Sequence, residues 1–90
     1  MTLRLTTQEI VIRANETEPV RRIQLVPGAV LRLPRRQQRI QVIFGAAWIT
    51  ADGRDYAVRR GDSQLLKPGR YEALISPLGS RQILFDIETV

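Results

Sequence analysis

Four acidic side chains are placed where they could take part in acid–base chemistry: Asp52, Asp55, Asp62 and Glu72. Two carboxyl groups in a pocket of low polarity can hold different pKa values, so that one donates a proton while the other accepts one. Asp52 and Asp62 each stand beside a glycine, where a carboxylate commonly bonds to the backbone of its own turn. A structural role is therefore favoured, and a metal-free enzyme that uses Glu72 with Tyr71 is an alternative.

Histidine and cysteine are both absent from the chain. Disulfides, thiol nucleophiles and acid–base catalysis by histidine are thereby excluded, as is nearly every transition-metal site built from imidazole or thiolate ligands. Glycine-rich phosphate loops and nucleophile elbows are also missing. We therefore expect no assignable catalytic residue, no cofactor and no bound metal.

Arginine dominates the basic residues: 14 basic side chains stand against nine acidic ones, and every basic residue except Lys67 is an arginine. The densest group is Arg32, Arg35, Arg36 and Arg39, of which we expect Arg35, Arg36 and Arg39 to form a basic turn. Because guanidinium groups bind phosphate through paired hydrogen bonds, this group is a candidate contact for a polyanion. A basic β-barrel that binds nucleic acid is thus an alternative, although few aromatic residues are available to stack on bases. An arginine-rich composition spread over solvated strand faces explains the same excess.

Hydrophobic residues alternate with polar ones along most of the chain, which is the period of a β-strand. Ile40, Val42 and Phe44 share one face of such a run, and Phe44 and Phe85 are expected in the core. About nine short strands are predicted, in the runs 3–5, 10–12, 22–26, 30–33, 39–44, 46–51, 56–58, 64–66, 71–76 and 82–87, with an N-terminal hairpin before the acidic loop.

Turn signals separate these runs. Asp52-Gly53 is typical of a type I′ hairpin, and Pro27-Gly28 of a type II turn. The glycines at 53, 61, 69 and 79 are eight, eight and ten residues apart, the spacing of an antiparallel meander. No window carries the start and stop signals of a helix. The sequence therefore predicts an all-β fold, a single small antiparallel barrel or sandwich.

The length of 90 residues predicts one domain, 1–90, with N-terminal strands and an acidic loop over 1–19. No membrane span or secretion signal is recognised, so we expect a cytoplasmic protein without membrane contact. A chain this short buries little surface and its edge strands need partners, so we also expect a homo-oligomer, most simply a two-fold dimer. The N-terminal strands are expected either to pair within the chain or to extend a partner's sheet.

Several turns and strands follow one another in a specific order. The segment Ile43–Thr50 is followed by Gly53, Gly61-Asp62 and Pro68-Gly69. This order of a strand, a hairpin, a Gly-Asp turn and a Pro-containing turn resembles that of the cupin superfamily. The match covers roughly residues 25–87 and looks closest to a bacterial family of short cupin-like domains of unknown function. The resemblance implies a cupin-like barrel.

The metal ligands of cupins are not matched. The second cupin motif has a histidine three residues after its turn glycine, where this chain has Glu72. The glutamate of the first motif falls on Gln38, and its two histidines fall near residues 31–34, which hold no metal ligand. The resemblance therefore implies a metal-free relative.

The sequence favours a metal-free binding or interaction module over an enzyme, and its small-molecule or protein ligand is not identified by any motif. Trp48, Tyr71 and Glu72 are the candidate ligand pocket. Trp48 is also predicted in the core or at a subunit interface, where its indole would be covered.

Overall fold

The computed structural model describes residues 7–13 and 19–90, and describes side chains from Val20 onward. These residues form nine strands and no helix. The strands are β1 (Thr7–Arg13), β2 (Pro19–Leu25), β3 (Leu31–Leu33), β4 (Gln38–Phe44), β5 (Ala46–Ala51), β6 (Arg54–Arg59), β7 (Ser63–Leu66), β8 (Ala73–Pro77) and β9 (Ile83–Thr89). The all-β prediction is confirmed. The expected strand at 3–5 and the acidic loop at 14–18 lie outside the described residues.

Two antiparallel sheets face each other. The five-stranded sheet has the order β1-β2-β9-β4-β7, and the four-stranded sheet has the order β3-β8-β5-β6. β1 pairs with β2 along its whole length, from Thr7 opposite Leu25 to Arg13 opposite Pro19. The N-terminal segment therefore pairs within the chain, and β1 forms one edge of the larger sheet.

The core lies between the sheets because alternate residues of each strand point inward. In β4 the side chains of Ile40 and Val42 are fully buried, as the alternation predicts. The other inward-facing residues that are fully buried include Leu25, Leu33, Ile49, Ile75, Ile83 and Phe85. One continuous hydrophobic cluster joins both sheets.

Phe44 departs from the expected pattern. Its side chain is 41% exposed, so its placement in the core was wrong. A β-bulge is the cause: Val42 pairs with Phe85 and Phe44 pairs with Leu84, which leaves Ile43 as an extra residue in β4. The extra residue reverses the alternation, so Phe44 turns outward.

The outward face of the five-stranded sheet is charged and internally paired. Arg22 on β2 makes two hydrogen bonds to Asp86 on β9, with Nε–Oδ1 and Nη2–Oδ2 distances of 2.7 and 3.0 Å. The hydrogen bond to Asp86, supported by the charge of that carboxylate, raises the pKa of the Arg22 guanidinium above its ordinary value. Arg39 on β4 lies 3.0 Å from Glu88 on β9. The basic residues of this face are thus partly neutralised by their sheet neighbours.

The hairpin between β5 and β6 turns at Asp52-Gly53. Asp52 has a φ of 52° and Gly53 a φ of 79°, the pair of positive angles that a type I′ turn requires. The predicted turn is confirmed. It places Asp52 and Arg54 at one end of the sandwich.

Candidate functional site

One end of the sandwich gathers three connections. The turn 34–37 joins β3 to β4, the hairpin tip 52–53 joins β5 to β6, and the loop 67–72 joins β7 to β8. Strand pairing sets them at the same end, because Gln38 lies opposite Leu66 and Thr50 lies opposite Leu74. We call this end the mouth.

A cavity of about 350 Å³ opens at the mouth. Its apolar lining comes from side chains at the ends of β5, β6 and β7, and its polar lining from the hairpin tip and the start of the 67–72 loop. The lining residues are Ala51, Asp52, Arg54, Tyr56, Leu65, Leu66, Lys67 and Pro68. This volume falls in the range of small-molecule sites, about 300–1,000 Å³.

Gly69 holds the loop against the hairpin tip. A Cβ on Gly69 would lie 3.2 Å from Cγ of Asp52 and 3.3 Å from its Oδ1. The loop backbone therefore packs directly on the Asp52 side chain, and a side chain at position 69 would require Asp52 to shift by a few tenths of an ångström. On the other side of the loop, Arg35 Nε donates a hydrogen bond of 3.0 Å to the Gly69 carbonyl oxygen. All three connections of the mouth are thus joined at Gly69.

The described residues of the mouth are predominantly basic. Four basic side chains, Arg35, Arg36, Lys67 and Arg70, stand with two acidic ones, Asp52 and Glu72, and Arg54 at the start of β6 adds a fifth basic side chain beside the cavity. The loops at the opposite end, 26–30, 60–62 and 78–82, carry two basic residues and one acidic residue. The potential in and around the cavity therefore favours an anion.

The three residues predicted to form a ligand pocket are not brought together at this cavity. Trp48 lies on the outward face of β5, opposite Ser76 of β8, and is 46% exposed. Trp48 is therefore not part of the core. Tyr71, which is 70% exposed, and Glu72 lie in the last part of the 67–72 loop. Trp48 lines a separate shallow depression of about 320 Å³ on the outward face of the four-stranded sheet.

The four candidate polyanion contacts lie on three different surfaces. Arg35 and Arg36 belong to the turn at the mouth, as expected. Arg39 lies outside that turn, in β4, and is paired with Glu88 on the outward face of the larger sheet. Arg32 is in β3, opposite Leu74, on the outward face of the smaller sheet. The structure therefore leaves Arg35 and Arg36 at the mouth and separates the other two from them.

Of the four acidic residues considered for acid–base work, only Asp52 and Glu72 belong to the mouth, and Asp62 lies in the 60–62 turn at the opposite end. Asp52 lines the mouth cavity, whereas Asp55 lines the depression beside Trp48. Asp55 Oδ1 accepts a hydrogen bond of 3.0 Å from the Thr50 hydroxyl. Asp52 and Asp55 thus face different surfaces, and Glu72 is not among the residues that line the cavity with Asp52. This arrangement gives no support to a shared acid–base pocket.

The cupin resemblance places Gln38 at the position of the glutamate that binds metal in cupins. The side chain is 1% exposed, and its Nε2 donates a hydrogen bond of 2.7 Å to the Pro34 carbonyl oxygen. Its Oε1 is buried without a partner. The described residues contain no cluster of three or more His, Cys, Asp or Glu side chains. A neutral amide that uses its amino group on the backbone does not provide the anionic ligand of a cupin metal centre, so these residues do not fit the metal.

Three residues that line the mouth cavity, Arg54, Tyr56 and Lys67, were not predicted as site residues. In the sequence, these residues lie next to the Asp52-Gly53 and Pro68-Gly69 turns. Both turns lie at the same end of the sandwich, but this depends on the strand order, which the sequence does not show.

No family model matches the chain, and no curated protein matches it. In the described part of the chain, no helix is long and apolar enough to cross a membrane.

Solved structures with the same architecture are numerous. A Cupin_2 domain of an XRE-family transcriptional regulator from Enterobacter cloacae is 16% identical, with 93% of this chain and 96% of that chain covered and a TM-score of 0.77. A Cupin 2 conserved barrel domain protein from Salinispora arenicola is 16% identical over 99% of this chain and 82% of its own, with a TM-score of 0.76. A protein of unknown function from Vibrio parahaemolyticus is 14% identical over 93% and 87%, also with a TM-score of 0.76.

These likenesses extend over nearly the whole chain and match the two antiparallel sheets described above. The protein therefore has the cupin fold.

Proposed function

We propose that the protein is a metal-free binding module that takes a small organic anion into the cavity at its mouth. The observation that carries this proposal is the composition of the cavity wall, where Arg54 and Lys67 stand beside the apolar side chains of Leu66, Pro68 and Ala51. Such a wall suits a ligand with an acidic group at one end and an apolar body at the other. The absence of histidine and cysteine supports binding without a metal.

The two cations differ in what they can contribute. The planar guanidinium of Arg54 can form two parallel hydrogen bonds to a carboxylate or phosphate, whereas Lys67 acts as a more mobile point charge. Tyr56 is partly buried and packs against the core, so its ring provides a fixed apolar surface in the cavity. Asp52 adds one negative charge, which favours ligands that also carry a hydrogen-bond donor.

Titration calorimetry with benzoate, succinate and inorganic phosphate tests the proposal, with benzamide as the uncharged analogue of benzoate. We expect benzoate to bind with a Kd of about 10 μM to 1 mM and benzamide to bind at least about tenfold more weakly. Arg54→Gln and Lys67→Gln should each weaken benzoate binding by about tenfold. Arg81→Gln, at the opposite end of the sandwich, is the matched control and should leave binding unchanged.

Two results would contradict the proposal. One is the absence of binding by all three anions at about 10 mM. The other is equal binding of benzoate and benzamide, or equal loss of affinity in Arg81→Gln and Arg54→Gln, since either would mean that the cations of the mouth do not recognise the ligand.

Nucleic acid is a second candidate ligand, favoured by one observation. Tyr71 is 70% exposed and follows Arg70 in the mouth loop, close in sequence to the Gly69 carbonyl that Arg35 contacts. An exposed ring among cations can stack on a base while the cations bind phosphates. Submicromolar binding of a single-stranded oligonucleotide at physiological salt, lost in Arg35→Glu/Arg36→Glu, would establish this alternative over a small anion. The cytoplasmic location expected from the sequence stays a prediction.

A further inference from the structure

The outward face of the four-stranded sheet differs from that of the five-stranded sheet. Four large apolar side chains are exposed there or at its border: Trp48 (46%), Leu74 (39%), Leu78 (42%) and Val30 (50%). No ion pair crosses this face among the described residues. We call this surface the outer face.

The residues of the outer face lie in rows across the strands. One row is fixed by strand pairing and runs from Arg32 on β3 through Leu74 and Thr50 to Asp55 on β6. The next row holds Ser76, Trp48 and Ala57, and Val30 extends it when the β3–β8 register is continued. A third row begins at Leu78, whose backbone N–H bonds to the Ala46 carbonyl oxygen at 2.8 Å.

Large and small residues are distributed unequally over the two central strands. On β8 and its continuation, the outer face carries Leu74, Ser76 and Leu78. On β5 the corresponding positions are Thr50, Trp48 and Ala46, so each large residue has a smaller neighbour in its row.

We propose that the outer face binds a second copy of this chain, with the two-fold axis running parallel to the strands between β5 and β8. This axis places β8 of one copy over β5 of the other and keeps each row opposite the same row. Trp48 then lies over the partner's Ser76, and Leu78 lies over the partner's Ala46. Large side chains meet small ones, which gives the close fit of a sheet-on-sheet contact.

The charged residues of the outer face support the same axis. Arg32 and Asp55 stand at opposite ends of one row, on the two edge strands β3 and β6. Because the axis exchanges the edges, Arg32 of each copy lies opposite the partner's Asp55. Two symmetric ion pairs would therefore flank the apolar centre. Arg32 makes no ion pair within the described part of its own chain.

The depression beside Trp48 can hold a side chain of the partner. It lies between Trp48, Asp55 and Ala57 and has a volume of about 320 Å³. In the proposed dimer, the partner's Val30 lies over Ala57, so an exposed apolar side chain fills an open apolar depression.

Trp48 makes the test direct, because it is the only tryptophan in the chain. Its emission should shift to shorter wavelength, and its quenching by acrylamide should fall, as the protein concentration rises through the dimer Kd. We expect this transition in the micromolar range, as for a small interface. Sedimentation velocity should show the monomer–dimer change over the same concentrations.

Exchanging the charges of Arg32 and Asp55 tests the direction of the two-fold axis. Arg32→Glu and Asp55→Arg should each raise the dimer Kd by about tenfold or more, and the double variant Arg32→Glu/Asp55→Arg should restore it to within about threefold of the original. Ser76→Arg should abolish the dimer, because its side chain would fill the space opposite Trp48. Phe44→Ser removes an equally exposed aromatic residue away from the outer face and should leave the Kd unchanged. Circular dichroism checks that each variant is folded.

Three outcomes would overturn the proposal. A protein that remains monomeric up to about 1 mM has no such interface. A dimer that survives Ser76→Arg and Arg32→Glu uses another surface, such as the outer edge of β1. A dimer disrupted by Arg59→Glu but insensitive to Arg32→Glu has an axis across the strands, because that axis sets Asp55 opposite the partner's Arg59.

Discussion

The carbonyl oxygen of Gln82 lies 2.5 Å from the position that a Cβ on Gly45 would occupy. Gly45 is the single residue between β4 and β5, where the chain leaves the five-stranded sheet and enters the four-stranded one. Its φ of 81° is a backbone conformation that favours glycine. The start of β9 therefore packs against the corner at which the two sheets are joined.

Gly45→Ala should destabilise the protein by about 3 kcal/mol or more, because the new methyl group meets backbone and the residue keeps a positive φ. Gly53→Ala is the matched control. Gly53 has a similar φ of 79°, but a Cβ there meets nothing within 4 Å. Gly53→Ala should lower the free energy of unfolding by about 1 kcal/mol. Urea unfolding of both variants measures the difference, and equal losses would show that the contact with Gln82 is unimportant.

Gln38→Glu should be destabilising at pH 7 and less so in acid. The substitution removes the N–H donor to Pro34 and buries a carboxylate, which costs about 3 kcal/mol or more at neutral pH. Burial raises the pKa of the introduced carboxyl in the folded state above its unfolded value of about 4.3. The folded state then binds the proton more tightly, so the loss relative to the original protein shrinks as the pH falls through this pKa.

Gln38→Leu is the control for that experiment. Removing the buried Oε1 that lacks a partner stabilises the folded state, whereas losing the hydrogen bond to Pro34 destabilises it. The two effects oppose each other. We expect a change in unfolding free energy within about 1 kcal/mol and no dependence on pH between 4 and 7 beyond that of the original protein. A large loss in this variant would mean that Oε1 has a partner, such as an ordered water.

The two phenylalanines should differ sharply in their contribution to stability. Phe85 is fully buried between the sheets, so Phe85→Ala should cost about 3–5 kcal/mol. Phe44 is 41% exposed, so Phe44→Ala should cost less than about 1.5 kcal/mol. Thermal unfolding followed by circular dichroism distinguishes them, and similar shifts in Tm would contradict the outward orientation of Phe44.

The ion pair between Arg22 and Asp86 should contribute little to the free energy of unfolding. Arg22→Gln should lower the unfolding free energy by about 1 kcal/mol, because the paired hydrogen bonds are partly buried but screened by solvent. Part of this loss should vanish in 1 M salt, which screens the pair. Arg36→Gln, at an exposed position of the 34–37 turn, is the control and should change stability by less than about 0.5 kcal/mol.

The fold could be predicted from local patterns, since alternation and turn glycines are read within a few residues. Val42 and Ile40 were correctly placed on one face of their strand, which is the buried face, and Asp52-Gly53 was correctly identified as a tight turn. Phe44 was misplaced because a bulge adds one residue without changing the polar and apolar pattern. Trp48 shows a second limit: alternation shows which residues share a face, but not which of the two faces is covered.

The candidate site was harder to predict, because its residues come from separate parts of the chain. Arg54 and Lys67 are 13 positions apart in sequence and line one cavity only because two loops meet at the same end. Arg35 and Arg39 are close in sequence yet face different surfaces, since one is in a turn and the other in a strand. Proximity in sequence was therefore a poor guide to which charges act together.

The position of β9 has a consequence for how the chain is made. This strand comes last among the described elements, yet it lies in the middle of the five-stranded sheet, between β2 and β4. While the chain is still emerging from a ribosome, β1 and β2 can pair with each other, but they have nothing that joins them to the rest of the sheet. Both β2 and β4 keep an unpaired edge until residues 83–89 arrive. Folding of this sheet is therefore postponed until synthesis of these nine strands is nearly complete. Until then the unpaired edges of β2 and β4 can pair with strands of other chains.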